Sequence, residues 1–77
     1  MPHVIVKMYA GRSEQQKKQL AEAVTKAVTS TLQYGDESVS VAIEDVAPER
    51  WANDVYKPDI LGNSAHTYKK PGYDPFQ

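Results

Sequence analysis

Cysteine is absent from the 77 residues, so no disulfide can staple the fold, and the two histidines, His3 and His66, lie too far apart in sequence to suggest a metal site. A domain this small buries only about 60–65% of the surface its unfolded chain exposes, which leaves association with further copies as the expected source of stability. An excess of charge of one sign is missing too. Nine Lys and Arg stand against ten Asp and Glu, which excludes a broad field for nucleic acid or an anionic membrane. The short pairs Lys17-Lys18 and Lys69-Lys70 do not alter that. No apolar run approaches the roughly 18 residues of a spanning helix, and no basic segment followed by an apolar one opens the chain. A soluble cytoplasmic protein is expected, with neither nucleic acid nor membrane as partner. Internal repeats and low-complexity tracts are absent as well.

What is present begins with residues 2–9, rich in β-branched side chains, where Val4, Val6 and Met8 share one side at period two. The spacing predicts a strand. Ala10-Gly11-Arg12 turns the chain, and Ser13 with Gln16 three residues on forms a capping box. From there to Gln33, Leu20, Val24, Ala27, Val28 and Leu32 recur at steps of three and four, with Glu14, Lys17, Lys18, Glu22 and Lys26 facing outward. This predicts an amphipathic helix of about five turns. Gly35, within Tyr34-Gly35-Asp36, is expected to end it in the left-handed conformation. Residues 38–46 alternate Val39, Val41 and Ile43 against Ser40, Ala42 and Glu44, and predict a second strand.

Strand, long helix and strand make a βαβ unit of the α/β class, with a right-handed crossover and parallel strands. Two strands are marginal alone, and one helix covers only one sheet face. Two protomers are therefore expected to pair into a four-stranded sheet backed by two helices. Beyond Ala47, Pro48-Glu49 reads as the first turn of a short helix carrying Trp51 and Val55 on one face. Residues 57–77, with Pro58, Gly62, Pro71, Gly72 and Pro75, read as loop with one helical turn at residues 59–61. Tyr56, Tyr68, Tyr73 and Phe76 suggest that this tail packs on something. The whole is expected to be one domain over residues 1–77, with a core at 2–46 and a tail at 47–77.

Two residues stand out chemically. Pro2 follows Met1, and a small second residue permits removal of the initiator Met, leaving a secondary amine at a strand start. There, partial exclusion of water and neighbouring cations disfavour the protonated amine, each unit of pKa depression needing about 1.36 kcal/mol. A base that is neutral at pH 7 is thus attainable, although a chance proline after Met1 would look the same. Arg12, at a Gly turn after the first strand, could return near the sheet end and hold a carboxylate in a two-pronged grip. A solvated loop arginine is the plainer alternative, and its place near a helix N-terminus is mildly unfavourable for a cation.

Taken together, Pro2-His3-Val4-Ile5-Val6, then Gly11-Arg12-Ser13-Glu14-Gln15-Gln16-Lys17, then Ser38-Val39-Ser40-Val41-Ala42-Ile43-Glu44 resemble the 4-oxalocrotonate tautomerase superfamily in order and spacing. The resemblance covers about residues 2–51. The tail Tyr68-Lys69-Lys70-Pro71-Gly72-Tyr73 is similar to that of the family's dimeric, somewhat longer branch of phenylenolpyruvate-type tautomerases.

The resemblance implies that Pro2 is the catalytic base and acid, that Arg12 holds a substrate carboxylate, and that Trp51 lines an apolar pocket. A core anchor of the dimer would serve equally for Trp51. The founding members' second arginine falls at Ser40, which puts activity on a dicarboxylate in doubt. A tail lysine, Lys69 or Lys70, or bound water would take over part of its work, unless the two lysines are simply solvated ahead of a Pro-Gly turn. The implied reaction is enol–keto isomerisation of a 2-hydroxyalkenoate or 2-enolpyruvate acid. It needs no metal or organic cofactor, and the partners are that small acid and a second copy of the chain, as a dimer or a multiple of it. Hydration or dehalogenation of an unsaturated acid, or imine formation at Pro2, are chemistries of the same superfamily, but water activation needs polar groups that the sequence does not clearly supply. A non-catalytic oligomeric module, binding a partner through the tail aromatics, is the alternative outside it.

Overall fold

The computed structural model describes residues 1–77, which cluster into two compact units, Met1–Asp45 and Val46–Gln77. The first is the βαβ unit. Strand β1 spans His3–Tyr9, helix α1 spans Glu14–Leu32, a 3₁₀ turn spans Asp36–Ser38, and strand β2, Ser40–Val46, ends one residue into the second unit. The strands form one two-stranded sheet, and the backbone N–H of Ser40 donates to the carbonyl of Pro2 at 3.2 Å. Their starts thus lie side by side and the strands run parallel, as a helical crossover requires. The second strand is shorter at its start than the alternation suggests, because Asp36–Ser38 is spent on the 3₁₀ turn.

Alternation assigns the faces. Val4, Val6 and Met8 are half-buried, whereas Ile5 and Tyr9 on the opposite side are 52% and 53% exposed. On β2, Val41 borders a groove with α1, and Asp45 of the same parity reaches Lys17 on that helix. His3, Ile5, Tyr9, Ser40, Ala42 and Glu44 therefore share the helix-free face.

Helix α1 starts where the capping box puts it: the Ser13 hydroxyl accepts from the Gln16 N–H at 3.1 Å, and Gln16 Oε1 accepts from the Ser13 N–H at 3.1 Å. Its end corrects the expectation for Gly35, which has φ −82°. Gln33 takes the left-handed conformation instead, φ 63°, with its N–H bonded to the Thr29 carbonyl and its side-chain amide to that of Ser30. The buried stripe is also narrower than the apolar spacing suggests. Ala21, Val24, Thr25, Val28 and Thr29 are half-buried, while Leu20, Ala27 and Leu32 are exposed. A helix of 19 residues is about 28 Å long, and two strands about 5 Å apart cover only its central line.

Lys17 does not face outward. Its side chain is only 17% exposed, and its ammonium donates to Asp45 at 2.6 Å and to Glu14 at 3.3 Å. The hydrogen bond to Asp45, foremost, raises its pKa above the ordinary 10.5. The methylene stem lies against the unit while the head finds a carboxylate at the end of β2.

In the second unit Pro48–Arg50 forms a 3₁₀ turn with Pro48 at its first position, followed by Trp51 and a π-helix over Ala52–Leu61. Reading residues 57–77 as loop with one turn at 59–61 is corrected here, because the helix runs through Pro58. A proline inside an α-helix lacks the N–H and pushes its ring against the carbonyl four residues back, here that of Asp54. The wider i→i+5 winding relieves that approach. Gly62 closes it by donating to the Lys57 carbonyl at 2.9 Å, and a Cβ on Gly62 would lie 2.5 Å from the Pro58 carbonyl oxygen, so no side chain fits there.

Val55 and Tyr56 on this helix are the chain's buried apolar residues, at 5% and 6% exposure. The Tyr56 ring meets Tyr73 at 5.6 Å and Phe76 edge-on at 6.0 Å, so the tail folds back on its own helix. No helix is long and apolar enough to cross a membrane.

Candidate active site

Pro2 is half-buried immediately ahead of β1, with Met1 before it 90% exposed. The Ser40 N–H fixes its carbonyl, which ties the Pro2 position to the sheet although its own nitrogen cannot join the ladder. On the helix-free face next to it, His3 Nδ1 lies 2.6 Å from Ser40 Oγ. This pair is the closest polar contact at the strand starts, and composition and spacing gave no sign of it. It depends on strand register, which the Ser40 N–H bond to the Pro2 carbonyl sets so that Ser40 lies beside the start of β1.

Arg12 is exposed and follows Gly11, whose φ of 123° makes the turn out of β1. It does not return to the Pro2 end. Seven strand residues at about 3.3 Å each separate the two by roughly 20 Å within a protomer. The crossover helix starts where β1 ends, so a residue just ahead of the Ser13 cap is held at that end.

In the second unit, Trp51 is half-buried and its indole N–H donates to the Tyr73 hydroxyl at 2.8 Å. Tyr73 also accepts the Tyr56 hydroxyl at its carbonyl, 3.4 Å away, so the tail fixes the indole's edge. The Tyr56 phenol is pushed above its ordinary pKa of 10.0 by burial, then by the charges of Asp74 and Tyr73. Lys69 is exposed in a bend. Lys70, next to it, borders a cavity of about 200 Å³ together with Tyr56, Ile60 and Thr67. In the first unit an open groove of about 510 Å³ runs between Ala21, Thr25 and Thr29 of α1 and Val41 of β2, and none of the residues singled out above lines it. No three His, Cys, Asp or Glu side chains converge anywhere.

An amine position at the head of a parallel βαβ sheet, beside a hydroxyl–imidazole pair, can be compared with known proteins. The sequence profile of the family described as "Tautomerase enzyme" matches residues 2–57. A "Probable tautomerase" of Xylella fastidiosa is 41% identical over 73 residues, covering 95% of this chain and 89% of that protein. "Tautomerase PptA" of Cronobacter sakazakii is 36% identical over 75 residues, covering 96% and 99%. Among solved structures, TomN, a 4-oxalocrotonate tautomerase homologue of the tomaymycin biosynthetic pathway, superposes with a TM-score of 0.64 at 42% identity, covering 65% of this chain and 77% of that one. YwhB, another homologue of 4-oxalocrotonate tautomerase, gives 0.64 at 37% identity, covering 77% and 98%. Sharing their sequence over most of its length and their βαβ fold, the chain belongs to the tautomerase family, that of 4-oxalocrotonate tautomerase and its homologues, and is an enzyme of the keto–enol isomerase class.

Proposed function

We propose that the protein isomerises a 2-hydroxyalkenoate or 2-enolpyruvate acid between enol and keto forms, with the amine of Pro2, freed of Met1, as base and then acid. The observation that carries this reading is the half-buried position of Pro2 at the head of β1, locked to β2 through its carbonyl. A neutral secondary amine there takes the enol hydroxyl proton, becomes a cation, and returns a proton to carbon. One group filling both roles works best when its pKa is near ambient pH, which partial desolvation of an amine favours.

Arg12 is the proposed carboxylate anchor. Since it stands at the other end of β1, the Arg12 that serves a given Pro2 belongs to a second copy. The sheet supports such pairing: it has only two strands, both are edges, and Ile5 is half-exposed on its helix-free face. Joining two such sheets gives four strands backed by two helices, with sites at the boundary. Trp51, its indole held by Tyr73, offers an apolar wall, and Lys69 is the remaining candidate for contact with the substrate.

The substrate class follows from charge. Arg12 is the one arginine assigned to the pocket, and a second carboxylate brought into a partly dry site without a partner costs several kcal/mol. A monoacid with an aromatic or alkenyl tail fits better than a dicarboxylate. For phenylenolpyruvate, kcat/KM is expected to exceed that for 2-hydroxymuconate. A preference of about 10-fold for the diacid, about 1.4 kcal/mol in transition-state binding, would require a second cation.

The test of the amine itself is to retain a residue before Pro2, by a direct fusion or by blocking Met1 removal. The folded, blocked protein should lose turnover. Full activity with the amine still acylated would refute its role.

A further inference from the structure

Enol–keto interconversion moves charge onto the oxygen at C2, and a donor placed to bind that oxygen lowers the barrier. The Pro2 amine cannot be this donor while it carries the proton in transit, and Arg12 is about 20 Å away within the protomer and assigned to the carboxylate. We propose that His3 is that donor: its Nδ1 accepts the Ser40 hydroxyl proton, which leaves the proton of the neutral ring on Nε2, aimed at the substrate's C2 oxygen. This rests on the proposed role of Pro2 and adds a second catalytic residue and a positioning residue to the same site.

Three observations carry it. His3 Nδ1 and Ser40 Oγ are 2.6 Å apart, short for a contact between neutral groups, and the ring's other nitrogen points away from Ser40. The Ser40 backbone N–H is committed to the Pro2 carbonyl, so the residue that orients the imidazole also fixes the start of the chain. His3 and Ser40 are both exposed on the helix-free face, which leaves the ring edge open to a ligand.

The placement suits the chemistry. Side chains of consecutive strand residues point to opposite faces, but the Pro2 amine is the end of the main chain and not a side chain. It lies on the strand axis, one residue from the imidazole, with neighbouring Cα atoms about 3.8 Å apart. The short O–C=C fragment of an enol acid can therefore lie between amine and ring. Without its partner, a histidine interconverts between two neutral tautomers, and only one presents Nε2–H. Ser40 selects that tautomer by donating to Nδ1. The proton stays on Nε2 throughout, and the proton exchanged with substrate is carried by Pro2 alone.

Steady-state kinetics on phenylenolpyruvate, with the oligomer and its thermal unfolding checked for each variant, tests the assignment. His3→Phe removes the donor and keeps a strand-favouring ring, and should lower kcat roughly 10- to 100-fold with KM changed about twofold or less. His3→Gln places an amide N–H near the Nε2 position and should recover most of the loss. Ser40→Ala should fall between, Ser40→Thr should be near the parent, and the double variant His3→Phe/Ser40→Ala should be no slower than His3→Phe alone.

In ¹⁵N spectra of neutral His3, Nδ1 should be unprotonated and Nε2 protonated, and Ser40→Ala should mix the tautomers. A folded His3→Phe protein with kcat within about twofold of the parent, or a protonated Nδ1, would overturn the proposal. The protein blocked ahead of Pro2 separates the two readings. If it is inactive while His3→Phe is unimpaired, only the role of His3 fails; if it is active, the role of Pro2 fails and that of His3 with it.

Discussion

Lys17 and Tyr56 hold their protons more tightly in the folded chain than in the unfolded one, for opposite reasons. The Lys17 cation is favoured by Asp45 and then Glu14, while the Tyr56 phenolate is disfavoured by burial and then by Asp74 and Tyr73. Both shifts are upward, so their contribution to stability is fully present below the unfolded values, 10.5 and 10.0, and is lost as pH rises through the higher folded ones. At fixed protein concentration the contribution of these two groups to the urea midpoint should be level from neutral pH to about pH 9 and fall above about pH 10, and the fall should be less steep in Lys17→Met. A midpoint that rises over that alkaline range would contradict the Asp45 contact. Neither shift was legible in the sequence. Asp45 lies on another element and Asp74 far along the tail, whereas the spacing of Lys17 among exposed neighbours suggested only a solvated cation.

Among the elements, those set by local chemistry were readable and those set by distant contacts were not. Ser13 and Gln16 are three residues apart and satisfy each other wherever the helix lies, so its start followed from spacing alone. Ser13→Ala should cost about 1 kcal/mol in denaturant unfolding, with Ser13→Asp recovering most of it. An unchanged midpoint for the Ala variant would show that tertiary packing, and not the cap, holds that end. The alternation of β1 and β2 was equally plain.

The helix across Pro58 was not. A proline ordinarily ends a helix, and here Val55 and Tyr56 are buried and the Tyr56 ring is held by Tyr73 and Phe76, which keeps the segment wound at the expense of α geometry. Gln33 in place of Gly35 at the end of α1 is a smaller case of the same kind, since its side chain and N–H both find helix carbonyls. The candidate site divides likewise. Pro2 was marked by its place in the sequence, but the His3–Ser40 contact depends on the register of two strands 37 residues apart.

At the scale of the whole molecule, burial is the decisive quantity. No side chain of α1 is buried, and the apolar residues of β1 and β2 are at best half-buried; the two that are buried sit in the second unit. A βαβ unit in this condition gains by adding a second sheet at its open edge, and the same step would bring Arg12 of one copy to Pro2 of another. Arg12→Ala removes a charge-assisted grip of about 1.5–3 kcal/mol, so kcat/KM should fall roughly 10- to 100-fold. Mixing two impaired proteins tests catalysis by Pro2 of one copy and Arg12 of the next most directly. One is blocked ahead of Pro2, the other is Arg12→Ala, and the two are exchanged through denaturant. Each mixed dimer then holds one site with a free amine and an intact arginine from opposite copies. Random pairing should restore roughly a quarter of the parent's turnover. A mixture no more active than the sum of its parts, with hybrids shown to form, would contradict a site shared between copies.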